Sequence, residues 1–439
     1  MVILENTLWL LVLIGIMIMI HELGHYCAAR YFDVRVETFS FGFGPRLFGF
    51  RRGETDFRFS AILFGGYVKM AGEQPTDESA HDPRGFLGKP RWQRLIIAFA
   101  GPFMNAVLAV ALLTGLYMFK FPKPADASRN GLIGHVLPDS AAAKAGLREG
   151  DRIVRIGETD YPTWEQIAIK EISSANQPMQ VTVERGGKRF SVTVTPVLLE
   201  RAGVGFAGWS EEAEIQITDV SPGLPADKAG LQPGDIVLSV NNVPIRSSIR
   251  LHEVIRASGG KPVDVDYSRA GRRATVTVQP ILASIDGPRR WMIGVVPEER
   301  TVYIRLPLTG ALAESIDQNV RSTTLIYKFL KGLVERRMSP KSIDGPIGIA
   351  RLSGKAAREG AYQFTNLMAA VSMQLAVLNL LPIPILDGGV ILLLLIEMLI
   401  RRDLSLSVKE AVFKLGFVFL LGVMVFALYN DIAKILPAG

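Results

Sequence analysis

Leu8-Trp-Leu-Leu-Val-Leu-Ile-Gly-Ile-Met-Ile-Met-Ile-His-Glu-Leu-Gly-His25 decides the class of this chain. An unbroken apolar run leads directly into two imidazoles and a carboxylate within five positions. A helix needs roughly 20 residues to cross a bilayer, and Leu8 to Tyr31 meets that length. Ionisable groups inside such a segment are costly and usually functional. Residues four apart share one helix face, so His21 and His25 are placed to bind one Zn²⁺, with Glu22 beside it. Such a metal brings a water's pKa to roughly 7, and the carboxylate is placed to take the proton and pass it to a leaving amine. The chain has only five histidines. Two of them stand here, and polar contacts between packed helices do not require three ionisable groups in five residues.

The 439 residues suggest two to four structural units. Hydrophobic residues make up 49% and the mean hydropathy is +0.25, high for a soluble protein of this size. The apolar residues gather at the two ends, and the middle reads as ordinary soluble protein. The net charge of +7 calls for no nucleic-acid partner, because basic flanks are expected beside membrane spans. Cys27 stands alone, so no intramolecular disulfide forms. Met1 to Tyr26 lacks the basic start and small-residue cleavage site of a signal peptide, and Gly24-His25-Tyr26-Cys27 is a poor lipoprotein box. The segment reads as a retained anchor.

Three further apolar stretches follow. Residues 95–119 contain no charge. Residues 364–400 are interrupted between Asn379 and Asp387, and residues 411–431 form the last stretch. Ala28 to Arg94 holds 11 Lys/Arg against 8 Asp/Glu, and Arg401, Arg402 and Lys409 lie between spans three and four. By the bias of basic residues to the cytoplasmic side, both termini and the segment from about Lys120 to Tyr362 are expected outside. The loop 32–94 alternates and is punctuated by glycine in Glu37–Phe50 and Thr55–Met70, with a turn at Gly53-Glu54. It predicts a β-hairpin that re-enters the membrane towards the site, where a sheet edge offers backbone partners to an extended substrate.

The outer region repeats itself. Ser140-Ala-Ala-Ala-Lys-Ala-Gly-Leu-Arg-Glu-Gly-Asp151 recurs 84 residues later as Leu224-Pro-Ala-Asp-Lys-Ala-Gly-Leu-Gln-Pro-Gly-Asp235. Each copy leads into a strand and then a hairpin signal, at Gly186-Gly187 and at Ala270-Gly271. Residues 126–210 and 211–300 thus each resemble a PDZ domain. Residues 307–338 follow with helical spacing and many basic residues, suited to a membrane surface or to packing on the second repeat.

A catalytic zinc site needs a third protein ligand and an open position. His81, His135 and His252 lie in hydrophilic stretches. Asp387 lies in Leu378-Asn-Leu-Leu-Pro-Ile-Pro-Ile-Leu-Asp-Gly-Gly389, where Pro382 and Pro384 forbid a regular helix. Unwound backbone at membrane depth must line a protein cavity, so the break is suited to aim Asp387 at the metal. Asp387 is favoured over Glu397, which stands four residues before Arg401 and reads as an interfacial residue. Asn379 offers both a donor and an acceptor to a substrate backbone from the side opposite the hairpin.

H-E-x-x-H on the first span with Asn-x-x-Pro-x-Pro-x-x-Asp-Gly late in the chain resembles the site-2 protease family. Gly101-Pro-Phe-Met-Asn105 and Gly345-Pro-Ile-Gly-Ile349 are similar to further motifs of that family, and tandem PDZ-like repeats after span two are similar to its sigma-E-regulating branch. Val390 departs from the histidine of many relatives. The resemblance covers essentially the whole chain. It implies a polytopic α-helical membrane protein of about four transmembrane helices, with a membrane-associated β-hairpin and two α+β PDZ-like domains in the periplasm. It also implies His21, His25 and Asp387 as ligands of Zn²⁺, Glu22 as general base and Asn379 as substrate-binding residue. The implied setting is the bacterial inner membrane, with both termini periplasmic. The implied substrates are single-span membrane proteins: an anti-sigma factor after a first cut, and remnant signal peptides. The PDZ-like pair would act as a size filter or as a reader of new C-termini; neither repeat begins with an evident carboxylate-binding loop, which favours the filter. An adaptor with a vestigial site has no use for Glu22, and a metal transporter has none for the repeats.

Overall fold

The computed structural model describes residues 2–73, 82–124, 131–199, 203–283, 289–335 and 340–435. The chain divides into two compact units. Unit 1 is Met1–Phe121, Arg305–Lys328 and Ile343–Gly439; unit 2 is Pro122–Ile304 with Phe329–Ser342.

Unit 1 is built on helices α1 (Val2–Tyr31), α2 (Arg91–Phe119), α3 (Leu308–Val334), α4 (Pro346–Glu359), α5 (Ala361–Asn379), α6 (Asp387–Ile400) and α7 (Leu406–Ile435). The last turns of α3 fall in unit 2. Among the described residues, three helices are long and apolar enough to cross a membrane: Val2–Tyr31, Arg91–Phe119 and Leu406–Lys434. The stretch 364–400 is two helices, α5 of 19 residues and α6 of 14, separated where Pro382 and Pro384 remove backbone donors. α1, α2 and α5 pack through Leu13, Met17, Ala109, Met368 and Met373. Sequence pattern gave no warning of α4. Its N-terminus is closed by Asp431 of α7, fully buried, whose carboxylate accepts from the N–H groups of Gly345 (2.9 Å), Ile347 (2.9 Å) and Gly348 (3.1 Å). A carboxylate there satisfies orphan donors and opposes the helix dipole.

Between α1 and α2, β1 (Val36–Arg52) and β2 (Thr55–Met70) form more than a simple hairpin. Thr38–Phe41 pair with Gly66–Lys69 on one side and with Asp56–Phe59 on the other, while Phe48–Arg51 pair with the far side of Asp56–Phe59. Two long bent strands therefore make four strips. Stacked cross-strand rings, Phe48 on Phe59 and Phe50 on Phe57, line the outer pair. The strip Gly66–Met70 is an edge and lies against α1.

Unit 2 holds two α+β repeats, each with its own core. The first is packed around Ile133, Ile153, Ile167, Val181 and Trp209; the second around Ile215, Val237, Leu251, Val265 and Ile293. The hairpin Met179–Arg185 to Lys188–Val194 turns at Gly186-Gly187, and Val263–Arg269 to Arg272–Val278 turns at Ala270-Gly271. All four turn residues have positive φ, which matches the right-handed twist of the strands. The two repeats share one internal lock. Asp151 and Asp235, both fully buried, receive Arg185 Nε at 2.6 Å and Arg269 Nε at 2.7 Å. Each arginine also donates to the carbonyl of the glycine before the Leu of its Ala-Gly-Leu turn, Gly146 or Gly230.

Candidate metal centre

The α1 helix carries His21 and His25 on one face, both buried. Their Nε2 atoms are 3.1 Å apart. Asp387 opens α6, where a carboxylate is favoured by the dipole, and its two oxygens lie 3.1 Å from His21 Nε2 and 3.4 Å from His25 Nε2. One ligand atom of each residue thus falls within 4.8 Å of the others, and this is the cluster of that kind among the described residues. Tetrahedral ligands about 2.0–2.1 Å from a zinc ion stand roughly 3.3 Å apart, so the separations fit zinc, as does a donor set of two imidazoles and a carboxylate with an open fourth position.

The local chain explains the placement. From Leu380 to Leu386 the backbone is unwound, with Ile385 at φ +87°. A β-branched residue in that region is strained, and such outliers cluster at functional sites. The break folds back onto the start of α6, where a side chain on Gly388 would collide with the carbonyls of Leu380 and Leu381. Across the site, Gly101 of α2 lets the helix lie on both imidazoles, since a Cβ there would sit 2.8 Å from His21 Cε1 and closer still to the His25 ring. His25 Nδ1 is 2.8 Å from the Ile97 carbonyl.

Glu22, one residue on from His21, faces the backbone of Val68 on the edge strip of β2. A cavity of about 390 Å³ is lined by His21, Glu22, His25, Tyr67, Val68, Met70, Asn379 and Asp387, within the size range of small-molecule sites. The residues singled out from the sequence therefore converge: His21, His25 and Asp387 within 3.4 Å of one another, Glu22 and Asn379 on the same cavity, with Val390 also on its wall. Glu397 is elsewhere. It is 1% exposed, and its carboxylate accepts from Lys409 Nζ at 2.6 Å and the Leu404 N–H at 3.0 Å. Its cation partner is Lys409 of α7. His135 and His252 belong to unit 2, and His81 lies outside the described residues. The sequence reading overlooked Gly101 as a contact and the edge residues Tyr67 and Met70; the Gly101–Asn105 spacing of one helical turn was the available signal.

A model of peptidase family M50 matches residues 9–423. The regulator of sigma-E protease of Salmonella typhimurium is 29% identical over 455 residues, covering 99% of each chain. Proteins named as zinc metalloproteases in Neisseria meningitidis (31% identity, 96% of this chain and 97% of theirs) and Vibrio cholerae (30% identity, 99% of both) are similar over the same length. Among solved structures, a PDZ domain of an SdrC-like protein from Listeria monocytogenes matches 20% of this chain and 90% of its own, at 18% identity and a TM-score of 0.18. A family match spanning almost every residue meets a donor set suited to zinc, and the chain accordingly belongs to peptidase family M50, the site-2 proteases, as a zinc metalloprotease.

Proposed function

We propose that the chain cleaves the membrane-spanning segment of other membrane proteins, with His21, His25 and Asp387 as the zinc ligands. The observation that carries the reading is the meeting of these three donors and Glu22 around one cavity set among apolar helices. Bound zinc supplies Lewis acidity, polarising a carbonyl and bringing a water's pKa to about 7. Glu22 takes the proton of the attacking water and returns it to the leaving amide nitrogen, general acid–base work worth about 10²–10⁴ in rate. A helical substrate conceals its peptide bonds, so it must be held extended. The edge strip Gly66–Met70 accepts it as an added strand, and the Asn379 amide holds its backbone from the other wall.

In this reading α1, α2, the broken pair α5–α6 and α7 are four spans of a bacterial inner membrane, with both termini and unit 2 periplasmic. Substrates are single-span proteins that a first cut has shortened, an anti-sigma factor or a remnant signal peptide. Unit 2 excludes those with bulky outer domains. A free edge is needed to bind a peptide as a strand. In the first repeat, however, the Ala207 N–H and the Trp209 indole are both held by the buried Glu171 carboxylate, at 2.6 and 2.8 Å. In the first repeat these two donors are withheld from a peptide, which supports a steric filter over capture of C-termini.

The test is Glu22→Gln in cells and in purified protein. Zinc content should match wild type while cleavage of a single-span substrate falls by at least about 100-fold. Cleavage at the wild-type rate would remove the protease mechanism.

A further inference from the structure

Asn105 is the buried polar group near the centre that the proposed mechanism does not use. It stands one helical turn after Gly101 on the face of α2 that meets α1, is fully buried, and its Nδ2 is 3.2 Å from His21 Nδ1. Its backbone carbonyl accepts from Ser372 Oγ of α5 at 2.8 Å, which fixes that turn of the helix. Its Oδ1 is buried with no hydrogen-bond partner among the described residues. A buried amide oxygen left unpaired costs about 1–3 kcal/mol, so its vacancy calls for an explanation.

The two imidazoles supply it. The Ile97 carbonyl accepts only, so His25 carries its proton on Nδ1 and presents the Nε2 lone pair to the centre. His21 can present Nε2 in the same way only if its Nδ1 also carries a proton, and that proton needs an acceptor. With Nδ2 facing it, His21 is held in the other tautomer, its Nε2–H pointing at Asp387 3.1 Å away. A half-turn of the Asn105 amide exchanges nitrogen for oxygen in the same place: Oδ1 then accepts from His21 Nδ1–H, the Nε2 lone pair is freed, and the amide N–H groups take the position Oδ1 held.

We propose that Asn105 is a positioning residue for the metal centre: its side-chain oxygen accepts from His21 Nδ1–H and so selects the metal-binding tautomer of His21. The inference rests on the proposed ligand set and deepens it. It accounts for the Gly101-x-x-x-Asn105 spacing, in which the glycine admits both rings and the asparagine, one turn on, orients one of them. Outer partners of metal-bound histidines typically contribute about 10–100-fold to affinity.

The experiment is zinc affinity, by chelator competition, of the full chain purified in detergent. Asn105→Leu removes the acceptor and should weaken zinc binding by about 10–100-fold. Asn105→Asp keeps an oxygen acceptor, and affinity should stay within a few-fold of wild type. If the leucine chain does not fold, Asn105→Ala takes its place with the same expected loss. Affinity unchanged in Asn105→Leu or Asn105→Ala, or lost equally in Asn105→Asp, overturns the role assigned to Asn105. A wild-type chain that binds no zinc, with His25→Ala indistinguishable from it, overturns the ligand set itself.

Discussion

His21 Nε2 and the Asp387 carboxylate lie 3.1 Å apart, one from the C-terminal half of α1 and the other from the first residue of α6. Unit 2 and most of the chain separate them in sequence, and both are held by glycine-lined contacts that admit no side chain. Asp387→Ala should therefore cost more zinc affinity than the about 10–100-fold attributed to outer partners. Metal content measured on purified protein checks this. A stoichiometric, tightly held zinc in that variant would exclude Asp387 as a ligand.

Gly101→Ala should damage the same centre by crowding. The added methyl would lie 2.8 Å from His21 Cε1 and 2.3 Å from His25 Nε2, well inside contact distance, so the rings must shift from their present positions. Overpacking of this kind costs about 1–3 kcal/mol. The expected result is a folded chain with weakened zinc binding and cleavage, whereas Gly115→Ala, where a Cβ meets nothing within 4 Å, should leave both intact.

Asp235→Ala should loosen the second repeat. The carboxylate accepts from the Gln232 N–H at 2.8 Å and from Arg269 at 2.7 and 2.8 Å, while wholly buried. Arg269 can turn into water once released, so the loss should be about 1–3 kcal/mol rather than the about 3–5 kcal/mol of a fully buried pair. Amide exchange in Ile236–Val240 should accelerate while the first repeat keeps its protection. Asp151→Ala should reverse the pattern.

Unit 2 should lose stability as pH rises through neutrality. Burial, followed by the nearby charge of Glu299, pushes the Glu211 carboxyl up from 4.5 to about 7, and burial raises Glu299 as well. The folded state then binds the Glu211 proton more tightly than the unfolded chain does. Its contribution is fully present below about pH 4.5 and disappears as pH climbs through about 7. Thermal unfolding at pH 5 and pH 8 should show the higher midpoint at pH 5, and Glu211→Gln should narrow the gap. Equal midpoints in wild type would contradict this assignment.

Ala270→Gly should stabilise the second hairpin. Ala270 takes φ +49° in a two-residue turn where glycine meets no penalty, while its counterpart Gly186 already does so. The expected gain is about 0.5–1 kcal/mol, read as a higher unfolding midpoint of unit 2.

Local chemistry made a large part of the site legible beforehand. Four residues make one helical turn, so His21 and His25 had to share a face once their segment was helical. Pro382 and Pro384 lack backbone donors, so the break before Asp387 was equally forced. The 84-residue recurrence announced two like repeats, because each had to bury the same apolar positions. What the amino-acid order could not convey were partnerships across the chain. Glu397 with Lys409, Asp431 with the start of α4, Asn105 with His21 and the double pairing of β1 with β2 arise where helices and strips happen to abut. Periodicity specifies which face of an element is apolar, but not which neighbour covers it. That neighbour is chosen by close packing of the whole unit, and so the tertiary structure alone decided which buried polar groups met.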